Sequence, residues 1–593
     1  MSSEGGGQSA FPFMGERREA AEQNRASDDK TARERIRSEL DVNFVVEAAA
    51  GTGKTTNLVD RLVALIADAI ASPRQIAAIT FTKKAAGELR ERFQNVLERE
   101  AREAEPDSQR LANIRKGLEQ IDQSYLGTIH SFCGRMLRER PVEAGVAPDF
   151  RELEEVEATA LNEEVWASYV QELYLERSDL LLELDQTDLT IVELRNLMLS
   201  LCDETDVDLV TEKRPRPDLR PAWRELIRIA AELEREMPLV PPERGWDDLQ
   251  KLIRSTAALR RASDPDDLAI IRLLKDFETS NPEGRVTNNR WPDSDPNEIK
   301  ESIRGLCENV VTPTLRAWRE YCHPIAVEVV TPAIERARET RIDLGRLSFQ
   351  DLLTIARDLL RDHRDVRRWF QDRYRYVLVD EFQDTDPIQA EILFYLTGEG
   401  SSDSWRELRP RPGSLFIVGD PKQSIYRFRR ADIGLYKEVK DLIVGSGGEV
   451  LQLSRNFRST GQLCDWVNGR FAAILPPEET AEQAAMVRVE ANRSDRGGFG
   501  GVYVQRFAGK GISQVARQES EHIARWIRDA VQEKRTVVDS GDERPMGWGD
   551  FMILARERPR LKIYADALER HMIPYEITGG RGFSSSRELR ALR

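Results

Sequence analysis

The apolar positions of this chain change period repeatedly. Phe44-Val45-Val46 is a short apolar run that ends in a glycine-bearing loop. From Thr55 to Ile70, Leu58, Leu62, Leu65, Ile66 and Ala69 then recur on one helical face. Gln75 to Thr82 reads as a second buried strand, with a helix from Ala85 to Arg99 behind it. Further strands are expected at Tyr376–Phe382, Leu415–Val418, Val450–Leu453, Val502–Arg506 and Phe551–Leu554. Strands alternating with helices predict an α/β fold with a mostly parallel sheet, its working loops at the strands' C-terminal ends.

The strand pattern lapses between about residues 151 and 334. That stretch is rich in Leu, Glu, Arg and Trp, with a Pro- and Asp-rich break near Asn281 to Glu298, and it predicts a large helical insertion. The α/β pattern resumes at Leu347–Leu360, where Ser348 and Asp351 have the spacing of a capping box. Residues 1–28 carry no apolar signal-peptide core and are expected to be a disordered leader. The organisation expected is therefore a first α/β domain in two parts, 29–150 and 335–448, interrupted by the helical insertion 151–334. An incomplete second α/β domain follows over 449–593.

Composition narrows the function classes. At 593 residues the chain exceeds a single core. Charged residues reach 32%, above the typical ~25%, which suits long solvated helices. The net charge of −15 gives no global pull toward nucleic acid, so any contact with it must use a local basic groove. No run approaches the ~18 apolar residues of a membrane span. Cys133, Cys202, Cys307, Cys322 and Cys464 show no metal or redox spacing, which favours reduced thiols and a cytoplasmic location. Cys322-His323 is read as packing, and Glu438-Val439-Lys440 as a solvated helix rather than a nuclease metal site.

Two stretches carry chemistry. Ala48-Ala49-Ala50-Gly51-Thr52-Gly53-Lys54-Thr55-Thr56 lies between a strand and an amphipathic helix, the context of a phosphate loop, although the general pattern has Gly where Ala48 stands. There the backbone N–H groups and the helix N-terminus cradle phosphate, Lys54 reaches the terminal oxygens and the Thr55 hydroxyl ligates Mg²⁺. Far along the chain, the strand Tyr376–Val379 runs into Asp380 and Glu381. Such a pair suits one carboxylate, Asp380, for Mg²⁺ and the other, Glu381, as general base for an attacking water. A lone Asp-Glu would be read as a charged strand end. The phosphate loop in the same chain reverses that reading. A third signal lies between Phe416 and Lys437, where the local charge sums to +3 and Tyr426 and Phe428 alternate with arginines. Cations with stacking rings suit sequence-independent single-strand binding.

In longer blocks, EAAAGTGKTT (47–56), ITFTKKAAGELRER (79–92), GTIHSFC (127–133), VDEFQDTDPIQ (379–389), IVGDPKQSIYRFRRAD (417–432) and LSRNFRS (453–459) resemble motifs I, Ia, Ib, II, III and IV of superfamily I DNA helicases of the UvrD type. The wording is most similar to the RecB and AddA helicase–nuclease subunits. The resemblance covers roughly residues 29 to 593. It implies a P-loop NTPase with RecA-like parallel-sheet domains, ATP and Mg²⁺ as cofactors, and 3′–5′ translocation on single-stranded DNA with duplex unwinding. It also implies no membrane and a possible partner subunit. By position, Gln423 would sense the γ-phosphate, Arg458 would contact it, Phe457 would stack on adenine, and Gln383 would couple the Mg²⁺ site to the DNA-facing motifs. Phe81 and Phe428 would stack on bases, with strand contacts at Thr82, His130 and Arg429.

The family's fifth and sixth motifs are not found, so the chain is expected to be an N-terminal portion. Two function classes stay open: an ATP-driven helicase for repair or recombination, and an ATP- and DNA-binding module without motor activity of its own.

Overall fold

The computed structural model describes residues 29–577, apart from 177, 205, 244, 263–264, 279–285, 287–289, 292–294, 481, 494–500, 510 and 540–541. The expected leader over 1–28 and the tail after 577 lie outside the described residues. The chain divides into two compact units. One comprises residues 1–126, 376–386 and 409–593, the other 127–375 and 387–408.

The first unit is organised by a six-stranded sheet. Its strands are β1 (Phe44–Ala48), β2 (Ile76–Thr80), β3 (Tyr125–Thr128), β4 (Tyr376–Val379), β5 (Leu415–Gly419) and β6 (Glu449–Leu453), in the order β6-β1-β5-β4-β2-β3. β1 pairs in parallel with β6 and β5, and β4 with β5 and β2. A parallel sheet covered on both faces needs nearly continuous apolar strands, and β2, β4 and β5 are buried at every position. α1 (Lys54–Ala67) and α2 (Lys83–Glu103) follow β1 and β2, and their Leu58, Leu62, Leu89, Phe93 and Leu97 join the core. Arg61 of α1 is 1% exposed. Its guanidinium donates to the carbonyls of Ile36, Glu39, Leu40 and Val42 and lies over Phe44 and Phe416, tying the helix over residues 29–38 to the start of β1.

Three strand expectations change. The run from Tyr376 ends at Val379 rather than Phe382, because Glu381 takes a left-handed φ of 53° and Phe382–Asp384 is a 3₁₀ turn. Val502–Arg506 and Phe551–Leu554 form no strand. A strand exists by pairing, and Tyr503, Val504, Met552 and Leu554 stand exposed with no ladder beside them. The small cluster at this end of the chain instead packs helix Ile512–Gln532 on helix Leu561–Arg570 through Ala524, Ile527, Ala567 and Leu568. Lys440 also departs from a solvated reading: it is paired with Glu47 and Glu479.

The second unit is helical, with α3 (Ile129–Glu139), the 32-residue α4 (Thr312–Asp343), α5 (Phe349–Asp362) and α6 (Arg364–Arg373). α4 runs through two cores, one around Trp223, Trp291 and Trp318, the other around Trp166 and Met198. The Ser348–Asp351 capping box forms as its spacing predicts. Asp351 also receives the buried Arg341 guanidinium through two bonds of 2.6 and 2.9 Å, while Arg341 donates to Asn162.

Candidate nucleotide site

The loops after β1, β4 and β5 meet at the sheet's C-terminal edge. The loop after β1 is shaped by Gly51 and Gly53, with φ of 77° and 85°, a region that penalises any Cβ. A Cβ at Gly51 would come within 2.7 Å of Asn456 Oδ1 and 2.8 Å of Arg458 Cβ. Thr52 is fully buried and donates its hydroxyl to Ala49 O. Ala48 and Ala49 are buried, whereas Ala50 and Thr56 are exposed. Gly53 supplies no side-chain cap to α1, so the first-turn N–H groups of Lys54, Thr55 and Thr56 are left without a capping side chain. An anion is what such a helix start accommodates.

Across from the loop stand the carboxylates. Lys54 Nζ lies 2.6 Å from Glu381 Oε2, and Thr55 Oγ1 donates to Asp380 Oδ2 at 3.2 Å. These contacts bring together residues more than three hundred positions apart. Asp380 is 7% exposed. Burial, with the adjacent Glu381 charge, pushes its carboxyl up to about 6. Asp384 is raised to about 6 for the same two reasons, and its Oδ1 is buried without a hydrogen-bond partner. A buried carboxylate held this far above its ordinary range is stabilised by an arriving cation. Asp380 and Thr55 thus present the oxygen donors that Mg²⁺ takes. Among the described residues no cluster of three or more His, Cys, Asp or Glu offers a separate metal site.

Gln383 joins this pair to the loop after β5. Its Nε2 donates to Glu381 at 2.8 Å, its Oε1 accepts Asp420 N–H at 2.9 Å, and its carbonyl accepts the Ser424 hydroxyl. Gln423 donates to Asp420 Oδ2 at 2.7 Å, and Lys422 pairs with the same carboxylate. Lys54, Glu381, Gln383, Asp420 and Gln423 therefore form one unbroken chain of hydrogen bonds.

The strand Arg455–Thr460 closes the loop from the other side. Asn456 Nδ2 donates to Ala50 O, and Phe457 N–H to Gly51 O. Asn456 Oδ1 accepts the N–H groups of Arg458 and Ser459. This leaves Phe457 44% exposed, with the Arg33 guanidinium 5.1 Å from its ring centre. Arg33 is itself held by Asp29 and Thr52 O. The Arg458 side chain is exposed. A cavity of about 270 Å³ is lined by Ala49, Ala50, Gln423 and Asn456, among others.

Of the residues expected on the strand-binding side, Phe81, Tyr426 and Phe428 form a row, with ring centres 4.7 and 5.6 Å apart. Phe428 ends it, 77% exposed. Thr82 caps α2 by accepting Ala85 N–H. His130 belongs to the second unit, where it meets Phe349 edge-on at 5.5 Å. The side chain of Arg429 lies outside the described residues. Sequence reasoning gave no role to Asn456, Asp420, Asp384 or Arg33. Asn456 and Asp420 stand inside recognisable blocks, but Arg33 lies in a polar helix with no motif to mark it.

A model of the UvrD/REP helicase N-terminal domain matches residues 29–443. The chain is also similar to an ATP-dependent helicase/nuclease subunit from Listeria welshimeri serovar 6b, 26% identical over 92% of this chain and 49% of that protein. Proteins of the same name from Bacillus thuringiensis subsp. konkukian and Bacillus anthracis are 26% and 27% identical over 92% of this chain and 48% of their own length. The chain spans about half the length of these curated relatives.

Proposed function

This chain belongs to the UvrD/REP helicase family, and we propose that it is the fuel-binding part of an ATP-dependent 3′–5′ DNA translocase and helicase serving repair or recombination. Its sheets would be RecA-like. The observation that carries this reading is the convergence of Lys54, Thr55, Asp380 and Glu381 at the end of one parallel sheet. The triphosphate of ATP would lie along the loop from Ala48 to Thr56, on the open N–H groups at the start of α1. Thr55 and Asp380 would hold Mg²⁺, which when bound supplies charge neutralisation at the phosphate oxygens. Lys54 would leave Glu381 for the terminal phosphate. Glu381, freed of its cation, would take the proton of the attacking water. Gln423 and Arg458 would face the γ-phosphate, and Phe457 the adenine.

Gln383 is bonded to both Glu381 and the Asp420–Ser424 loop that leads to Tyr426 and Phe428, so a shift of either end would reach the other through it. That supports coupling of turnover to a strand stacked on Phe81, Tyr426 and Phe428, with contacts from Thr82 and Arg429. A second subunit is proposed from the relatives' name. The test is ATP hydrolysis with and without single-stranded DNA, in the unaltered chain and in Lys54→Ala. Stimulation lost in Lys54→Ala supports the motor.

A second reading, an ATP- and DNA-binding module without motor activity of its own, is favoured by the lack, among the described residues, of a second parallel sheet of that size. Nucleotide binding without stimulated hydrolysis selects it.

A further inference from the structure

In the strand Arg455–Thr460, Asn456 is buried between the exposed Arg455, Phe457 and Arg458. Its amide is engaged on both sides. Oδ1 accepts the N–H groups of Arg458 at 2.8 Å and Ser459 at 2.7 Å, and Nδ2 donates to Ala50 O at 2.7 Å. Backbone N–H groups taken by a side chain just before them are turned out of the strand ladder. The pairing of this strand with Glu490–Arg493 accordingly shifts register between Asn456 and Thr460. Such a shift re-aims the side chain it carries, here Arg458. The approach to the loop is close. A Cβ at Gly51 would meet Asn456 Oδ1, Asn456 Nδ2 and Arg458 Cβ within 2.8 Å, and Phe457 N–H bonds to Gly51 O alongside. One amide thus fixes the backbone of Arg458 and that of the phosphate loop to the same few atoms.

We infer that Asn456 is a positioning residue through which the site tells a triphosphate from a diphosphate. The inference rests on the nucleotide reading proposed above and goes beyond it by naming what sets the selectivity. The cradle of N–H groups around Gly51 to Thr55 serves the phosphates that ATP and ADP share. Only ATP offers a third phosphate to Arg458. The difference in affinity between the two nucleotides therefore depends on how far the guanidinium stands from the cradle. Asn456 holds both, and so sets that separation. A guanidinium fork contributes most when it is already in place as the charge arrives.

The test is a titration of the full chain with ADP and with a non-hydrolysable ATP analogue, beside steady-state ATP hydrolysis. Asn456→Ala should lower the preference for the triphosphate about tenfold, the contribution of one hydrogen bond to a charged group, with turnover falling alongside. Arg458→Ala should lower it as far. The double variant Asn456→Ala/Arg458→Ala should lower it no further, because both changes remove one contact. Asn456→Ser keeps an acceptor for the two N–H groups but falls a bond short of Ala50 O, so it should show the loss with the strand intact. A merely structural brace predicts that both nucleotides weaken equally and their ratio stays. That outcome overturns the inference, as does an additive loss in the double variant or an unchanged ratio in Arg458→Ala. All three leave nucleotide binding itself standing. An unaltered chain that binds neither nucleotide overturns the nucleotide reading, and the inference with it.

Discussion

At the scale of single residues, the site is held closed by its own charges. Lys54 and Glu381, 2.6 Å apart, satisfy each other where a phosphate and a water would otherwise be served. Glu381→Gln should therefore abolish turnover and tighten nucleotide binding severalfold, because Lys54 no longer has a competing anion. A nucleotide titration beside a hydrolysis assay checks both, and undiminished hydrolysis would refute the role of base. Asp380 gives a pH dependence. Its carboxyl rises from 3.8 to about 6 on folding, so the folded chain binds this proton more tightly than the unfolded one. The folded state then loses stability as pH climbs from 3.8 to about 6 and carries the full cost above it. Asp380→Asn should stabilise the folded chain at pH 7.5 by at most about 3 kcal/mol, seen as a higher unfolding midpoint, and change little at pH 3.5, while Mg²⁺ ceases to stabilise the chain. Thermal melts at the two pH values decide this. Asp380, Glu381 and Lys54 were legible because their chemistry dictates residue type. Asn456 was not, because any short polar residue reads the same until the loop it braces is seen.

At the scale of elements, β1, β2 and α1 followed from the pattern of apolar positions, since a strand buried on both faces and an amphipathic helix leave different patterns. Val502–Arg506 and Phe551–Leu554 misled for a physical reason: alternation records a capacity to pair, not the presence of a partner. Hydrogen exchange should show this. Amides of β1, β4 and β5 are expected to be protected, and those of Val502–Arg506 and Phe551–Leu554 to exchange within seconds; equal protection would contradict the assignment. The ends of elements are where buried ions matter. Arg341 is 2% exposed and clamps Asp351 at the start of α5, so Arg341→Met leaves that carboxylate buried and unpaired, at a cost of about 3–5 kcal/mol. Replacing both, Arg341→Met with Asp351→Leu, should recover part of the loss in a denaturant titration. Had the pair acted merely as surface charge, both costs would be near zero.

At the scale of the whole molecule, the proposed DNA contact would rest on local groups, because the chain as a whole is acidic at −15. Phe428→Ala should weaken single-strand affinity by about 1–3 kcal/mol while leaving nucleotide affinity intact; an unchanged titration would remove Phe428 from the platform. The sheet's order has a further consequence, in time. β1 lies between β6 and β5, both encoded more than three hundred residues after it, and the helical insertion intervenes. At a synthesis rate of about 5–20 residues per second, β1 leaves the ribosome well before either neighbour exists. Its apolar residues must be sheltered over that interval by α1 and the helix over residues 29–38, which share its core, or by a chaperone, and slowed translation across the insertion would lengthen the exposure. Lys54 and Glu381, 327 positions apart, are made roughly 15–65 seconds from each other.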